Sequence, residues 1–341
     1  MDLSYWPISL ELRDTFRINR ESSDHRDNVL VKIVDESGNE GLGEAAPSRY
    51  YQQTANSVSQ ALSTISLTDV SDPFRLEDIT YDLSKKLQNQ RSALTAIDMA
   101  MHDLIGKRLK IPLYRLFGLH CTQVPVTSFT IGIASPDEMR HKTEGAANFH
   151  SLKVKLGMDN DREMISAIRS VTSVPLRVDA NAAWTVTEAV ENLKWLYDEG
   201  IELVEQPLAK NDLDGFRRLT DLSPIPIIAD ESVETPEDVI KLRGCVHGVN
   251  IKLNKCGGLR EAFKMISIAR AQKMKVMLGC FIESSLGISA AVHLSPLVDY
   301  VDLDGHLLIQ NDPFRGLQLQ DGKVLPTDQA GLGIQPIESS A

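Results

Sequence analysis

The sequence predicts an α/β protein, a closed parallel barrel of βα units preceded by an α+β region. Three observations predict it. From Val124 onward, short apolar runs alternate with amphipathic segments through eight strand candidates. The polar residues that end these runs recur at one spacing: Lys155 in SLKVKLG, Asp179 in LRVDANAAW, Glu205 in IELVEQPL, Asp230 in IPIIADES and Lys252 in VNIKLNKCGG lie 24, 26, 25 and 22 positions apart. Each interval is the length of a strand, a loop and a helix. Finally, no early strand is followed by the glycine-rich phosphate turn that the rival architecture, an open doubly wound sheet, would carry.

Composition narrows the class. A chain of 341 residues, 42% apolar and 24% charged, can bury a full core and has room for two domains. The four cysteines, Cys121, Cys245, Cys256 and Cys280, form no CxxC pair and read as free thiols of a reducing compartment. The opening MDLSYWPISLELRD has neither a basic segment nor an apolar one of the secretory kind. No run approaches the roughly 18 apolar residues of a membrane span, so the expectation is a cytoplasmic protein with no membrane partner. A net charge of −11 without a Lys/Arg patch argues against nucleic acid. Copies of the chain could assemble as a homo-oligomer.

Taken in order, residues 3–12 and 28–34 read as strands, and the polar RINRESSDHRD between them reads as a mobile loop. GNEGLGEAAP then turns the chain back. Helical spacing follows over 54–65, 75–87 and 91–108, the last the clearest amphipathic pattern, with Ala93, Ala96, Ile97, Ala100, Met101 and Leu104 on one face. The expected division is an α+β domain over 1–120, a barrel over 121–305 and a Gly- and Pro-rich segment over 306–341 that returns to the first domain. Barrel strands are expected at 126–131, 151–156, 175–179, 201–205, 225–230, 248–253, 275–281 and 299–304. Helices are expected at 160–171, 187–198, 213–221, 235–242, 258–273 and 285–295, with Thr187 capping the second of these.

A closed barrel converts this order into position, because its catalytic face is the C-terminal end of the strands. Lys155 and Lys252, on the second and sixth strands, fall on opposite walls. Asp179, Glu205 and Asp230 occupy the arc between them. Three converging carboxylates raise one another's pKa unless a cation neutralises them, and an all-oxygen site without His or Cys suits magnesium (Mg2+). Lys153 and Lys155, two apart on a strand, both point inward. Paired ammonium groups there should depress each other's pKa, as a lysine acting as a base near neutral pH requires. Lys255 competes with Lys252 for the sixth strand, but the apolar run ends at Lys252 and residues 254–258 read as loop.

Together LKVKLG, RVDANAAW, VEQP, IADES and IKLNKCGG resemble the enolase superfamily, specifically its muconate-lactonizing-enzyme subgroup, over nearly the whole chain. The resemblance implies a modified TIM barrel, (β/α)7β, under a capping domain built from the N-terminal part and the C-terminal tail. It implies that Lys155 and Lys252 are acid/base catalysts, that Asp179, Glu205 and Asp230 bind magnesium, and that the ion stabilises an enediolate. Two lysines on opposite walls suit racemisation or epimerisation of a carbon α to a carboxylate. Cycloisomerases and o-succinylbenzoate synthases share the same core.

The eighth strand distinguishes among these. Asp302 and Asp304 in VDLDGH are two apart, so both should face the same side and hold a cation at the substrate end farthest from its carboxylate. In the resembling family such a DxD is characteristic of dipeptide epimerases, where it pairs with the α-ammonium. The expected activity is therefore a dipeptide epimerase acting on the C-terminal residue; an N-acylamino-acid racemase of the same fold and a noncatalytic metal-bound barrel are the alternatives. Thr130 in FTIG, with Glu283 and Ser285 in IESSLG, should line the pocket. The loop between the first two strands should reach over the barrel mouth, bringing Arg20 and Arg26, which suit an acidic side chain, or Glu21, Asp24 and Asp27, which suit a cationic one.

Overall fold

The computed structural model describes residues 1–121 and 123–337. Three antiparallel strands open the chain, β1 (Asp2–Ile18), β2 (Glu21–Val34) and β3 (Glu40–Ala45). The irregular loop expected between the first two is instead a continuation of their hairpin, pairing Phe16 with Ser23 and Ile18 with Glu21 and turning at Asn19–Arg20. Its polarity misled because the ribbon projects beyond the sheet with most side chains exposed, held by its hydrogen-bond ladder and by Phe16, which packs against the cluster of Leu10, Leu12, Ile282 and Ile309.

Four helices follow: α1 (Ala55–Leu62), α2 (Leu76–Lys86), α3 (Arg91–Leu109) and the single turn α4 (Leu113–Leu116). The amphipathic expectation for α3 needs correction, since every residue from Ser92 to Gly106 is buried. One side of α3 packs on β2 and β3, and the other meets the barrel. Close approach to the sheet is set by Gly41 and Gly43, where a Cβ would run into the α3 backbone at Ala100 and Ala96.

The barrel runs β4 (Phe129–Ile131), α5 (Pro136–Gly145), β5 (Leu152–Lys155), α6 (Asp161–Arg169), β6 (Leu176–Asp179), α7 (Val186–Asp198), β7 (Ile201–Glu205), α8 (Leu213–Leu222), β8 (Ile227–Ala229), α9 (Pro236–Lys241), β9 (Gly248–Lys252), α10 (Leu253–Cys256), α11 (Leu259–Ala271), β10 (Lys275–Gly279), α12 (Ser285–Val292) and β11 (Tyr300–Asp302). The eight strands pair in parallel in sequence order, and a bridge between Thr127 and Val301 brings the first and last together. This is a (β/α)7β barrel under an α+β cap. Two corrections concern helices. The cap of α7 is Thr185, whose hydroxyl accepts the Glu188 N–H while the Glu188 carboxylate accepts the Thr185 N–H at 2.7 Å; Thr187 lies inside the first turn. Residues 254–258, read as loop, begin as α10. The sequence reading also passed over α5, which buries only Met139 and Thr143 and so shows little apolar periodicity.

The tail adds β12 (Phe314–Arg315), β13 (Gln318–Gln320), β14 (Lys323–Leu325) and β15 (Gln335–Pro336). On its way it bonds to the opening hairpin, Gln310 N–H to Glu11 O, and to the cap, Leu113 N–H to Gly331 O. The four cysteines are free. Among the described residues no helix is long and apolar enough to cross a membrane.

Candidate active site

Strand register builds the site. Lys155 pairs with Asp179 across β5 and β6, and Asp179 with Glu205 across β6 and β7, so the three stand in one row at the C-terminal ends of their strands. Asp230 follows β8 directly. All three carboxylates are buried, with one oxygen of each within 4.8 Å of the others. Neighbouring groups aim them: Asn250 Nδ2 donates to Glu205 Oε1 at 2.8 Å, Asp179 Oδ1 accepts the Asn181 N–H at 2.9 Å, and the Gln206 amide oxygen accepts the Asp230 N–H at 2.8 Å.

Lysines supply the counter-charge. Lys153 Nζ lies 2.7 Å from Glu205, 2.7 Å from Asp302 and 3.3 Å from Asp179. Lys155 bonds Asp179 at 2.6 Å and Lys252 bonds Asp230 at 2.8 Å. Burial would raise Asp179, but Lys155 and Lys153 outweigh it and hold the carboxylate at about 2. Asp230, under the same burial, is driven well down by Lys252 and Lys255. Glu205 is pushed up to about 7 by burial and by Asp179, with Lys153 acting against them. Three convergent buried carboxylate donors, with no nitrogen or sulfur ligand among them, fit a hard divalent cation.

The mutual depression expected of the paired lysines does not hold for Lys153. Burial would lower it, yet Asp302, Glu205 and Asp179 together raise it well above the usual ammonium range. Lys252 is raised in the same way, Asp230 and Glu205 overriding burial, and its Nζ stands 5.1 Å over the Phe281 ring. Lys255 is tied to Asp230 Oδ1 and to two backbone carbonyls, Asp230 O at 2.6 Å and Asn250 O at 3.0 Å. It is anchored beside the site, while Lys252 ends the strand.

At β11 the two acids separate. Asp302 is in the strand, one oxygen on Lys153 and the other accepting the Ser128 hydroxyl at 2.7 Å. Asp304 lies beyond it, where the backbone has turned into helical geometry. Its Oδ2 accepts the Thr130 N–H at 2.6 Å, and burial together with the charge of Asp302 pushes it up to about 7. Glu283 is buried, accepts the Phe281 N–H at 2.9 Å and is pushed up to about 8 by burial and Glu44. Ser285 is engaged elsewhere, its hydroxyl on Asp312 at 2.6 Å.

The hairpin tip reaches the barrel mouth. Arg20 pairs with Glu231, its guanidinium 4.3 Å over the Tyr50 ring, and Asn19 Nδ2 donates to Ala180 O at 3.3 Å. Glu21 is paired with Arg26 at 2.5 Å and partly exposed, away from these contacts. Sequence reasoning missed Glu231, Asn181, Asn250 and Ser128. Glu231, Asn181 and Asn250 stand inside quoted motifs, one or two positions from Asp230, Asp179 and Lys252, where a second polar side chain was a usable signal; Ser128 gave none.

Residues 8–118 match the mandelate racemase / muconate lactonizing enzyme N-terminal domain, and residues 137–340 match the enolase C-terminal domain-like family. The chain belongs to the enolase superfamily. Within that superfamily it is 44% identical over 339 residues to an L-Ala-D/L-Glu epimerase of Bacteroides thetaiotaomicron, covering 99% of this chain and 88% of the relative. An L-Ala-D/L-amino acid epimerase of Maribacter sp. is 38% identical over 98% of this chain and 99% of its own length. The crystal structure of a dipeptide epimerase from Enterococcus faecalis V583, complexed with Mg and the dipeptide L-Leu-L-Tyr, matches with a TM-score of 0.92 at 33% identity, covering 97% of this chain and 98% of that one.

Proposed function

We propose that this chain is a magnesium-dependent dipeptide epimerase that inverts the α-carbon of its substrate's C-terminal residue. The observation that carries the reading is the opposed pair of lysines. Lys155 and Lys252 stand on β5 and β9, four strands apart in a barrel of eight, each with its Nζ on a carboxylate of one buried triad. Asp179, Glu205 and Asp230 would hold the magnesium, which when bound supplies the positive charge that lets a proton α to a carboxylate leave. One lysine, neutral at that moment, takes the α-proton from one face; the other, protonated, returns a proton to the opposite face, and the roles exchange for the other isomer. Lys153, enclosed by three carboxylates, holds charge and does not exchange protons.

Dipeptides are favoured by the relatives' named activities and by Asp304, which with Asp302 would meet the substrate ammonium near Thr130. Arg20 supplies a cation at the mouth that suits an acidic C-terminal side chain. In this reading residues 1–120 and 306–341 form the cap that closes the site and residues 121–305 the barrel, with 122 and 338–341 lying outside the described residues. The test is a dipeptide library incubated with the protein and magnesium in deuterated water. Mass spectrometry should find one deuterium gained at the C-terminal α-carbon, first among dipeptides ending in an acidic residue. A library with no exchanging member refutes the assignment.

A further inference from the structure

The helix α3 is buried from Ser92 to Gly106, and among its buried polar residues Ser92, Thr95 and Asp98 recur at three-residue intervals. Polar side chains weaken a helix interior and are costly to bury, so their presence calls for partners outside the helix. Each of the three finds one such partner in the stretch that follows Lys252. Thr95 Oγ1 donates to Leu253 O at 2.7 Å, a bond it shares with Arg91 O of its own helix at 2.9 Å. Ser92 Oγ lies 3.4 Å from Asn254 O and equally far from Ala46 O. Asp98 Oδ2 accepts the Leu259 N–H at 2.5 Å. Beside them the Ala46 N–H donates to Asn254 Oδ1 at 2.9 Å. At Gly258, with φ +119°, any Cβ would collide with the Asp98 carboxylate, so the approach of α3 requires glycine there.

The barrel itself supports Lys252 on one side only. On β10 the pairing reaches Lys252, opposite Gly279, whereas on β8 it stops at Ala229 opposite Val249. Lys155 differs in degree: it too is paired on one side, with Asp179, but on its other side the pairing reaches its immediate neighbour Val154, opposite Ile131, whereas beside Lys252 it stops three residues short. We propose that Ser92, Thr95 and Asp98 of the cap are positioning residues for Lys252, fixing the strand end from which its ammonium reaches Asp230. The cap then does more than cover the site: it sets one of the two acid/base groups and leaves the other to the barrel.

This inference rests on the two-lysine reading above, and that reading supplies the measurement. If each lysine serves one face, a defect confined to Lys252 appears as loss of α-proton exchange for one stereoisomer. General damage lowers both. Exchange in deuterated water is followed for each isomer of one good dipeptide with the magnesium-loaded wild type, Lys155→Ala, Lys252→Ala, Thr95→Val and Thr95→Ser. Thr95→Val should lower exchange of the isomer that Lys252→Ala abolishes on the order of tenfold or more, as a misplaced catalytic group does, and leave the other isomer unchanged. Thr95→Ser, which keeps the hydroxyl, should restore it. Ser92→Ala should act in the same direction and carries the comparison if Thr95→Val does not fold. Equal losses for both isomers, or no loss, overturn the proposal alone. A Lys252→Ala protein that spares or abolishes exchange of both isomers overturns the two-lysine reading and this proposal with it.

Discussion

Removing the charge of Lys153 should cost more than removing any one of its partners. Its side chain is 1% exposed and its Nζ lies within 3.3 Å of Asp179, Glu205 and Asp302. Lys153→Met keeps the length of the apolar stem and leaves three buried carboxylates with one cation fewer. Breaking a buried charge pair by removing one member costs about 3–5 kcal/mol, and here one deletion strips several contacts at once. Asp302→Asn should cost less, roughly 1–3 kcal/mol, because Lys153 keeps two carboxylates and the amide can still accept from Ser128. Urea denaturation in chelator, then in excess magnesium, reads both terms. Magnesium at a hundred times its Kd should stabilise the wild type by about 2.7 kcal/mol. Its effect on Lys153→Met should be larger, because the ion restores positive charge that the triad then lacks. If Lys153→Met unfolds in chelator at the same urea concentration as the wild type, Lys153 is not the triad's counter-ion. A larger loss for Asp302→Asn would move the stabilising role to the Asp302–Ser128 bond.

Other outcomes follow from the same contacts. Chelation should abolish exchange and magnesium restore it, and Glu205→Gln should lose most of the turnover while still folding; full activity in excess chelator would exclude the triad as a metal site. Glu283, raised to about 8 from an ordinary 4.5, keeps a proton in the folded chain that the unfolded chain has released, so its contribution to stability is complete below the lower value and declines as pH rises through the upper one. Glu283→Gln should flatten stability against pH across that window, and an unchanged slope would show that Glu283 is ionised. N-acetylation of a good dipeptide, or Asp304→Asn with the free dipeptide, should lower kcat/KM by about a hundredfold, about 2.7 kcal/mol, with magnesium affinity intact. Equal turnover of acetylated and free substrates would instead favour an N-acylamino-acid racemase.

The barrel was legible because its strands are buried on both faces and read as short β-branched runs, and because each catalytic-face residue interrupts such a run at its end. The cap was less legible. Its hairpin ribbon is mostly polar and exposed beyond Leu12, and α3, which reads as amphipathic, is enclosed on all sides, so in both the sequence pattern misstates the surroundings. Within the site, residue type and spacing located Lys155, Asp179, Glu205, Asp230 and Lys252. Spacing could not show how charges pair. Asp302 and Asp304 looked equivalent at two residues apart, but one remains in β11 bound to Lys153 and the other lies past the bend on Thr130. Likewise the choice among Arg20, Arg26 and the acids of the hairpin depends on which side of a two-residue turn faces the barrel.

Charge balance within the site bears on the substrate. The ion-paired network at the barrel mouth joins five carboxylates, Asp179, Glu205, Asp230, Glu231 and Asp302, to five cations, Lys153, Lys155, Lys252, Lys255 and Arg20. Such a network is neutral when all its members are charged. With one of Lys155 and Lys252 neutral, as the proposed base must be, a divalent ion on the triad leaves it with one positive charge in a buried setting, which is costly unless an anion follows. In the proposed reading that anion is the substrate carboxylate, and the substrate ammonium, answered by Asp304, changes nothing in this balance. The metal and the two lysines therefore call for one carboxylate and place no demand on the side chain. A preference for an acidic side chain rests instead on Arg20, the member of the network with an exposed flank, 33% of its side chain, from which to meet it.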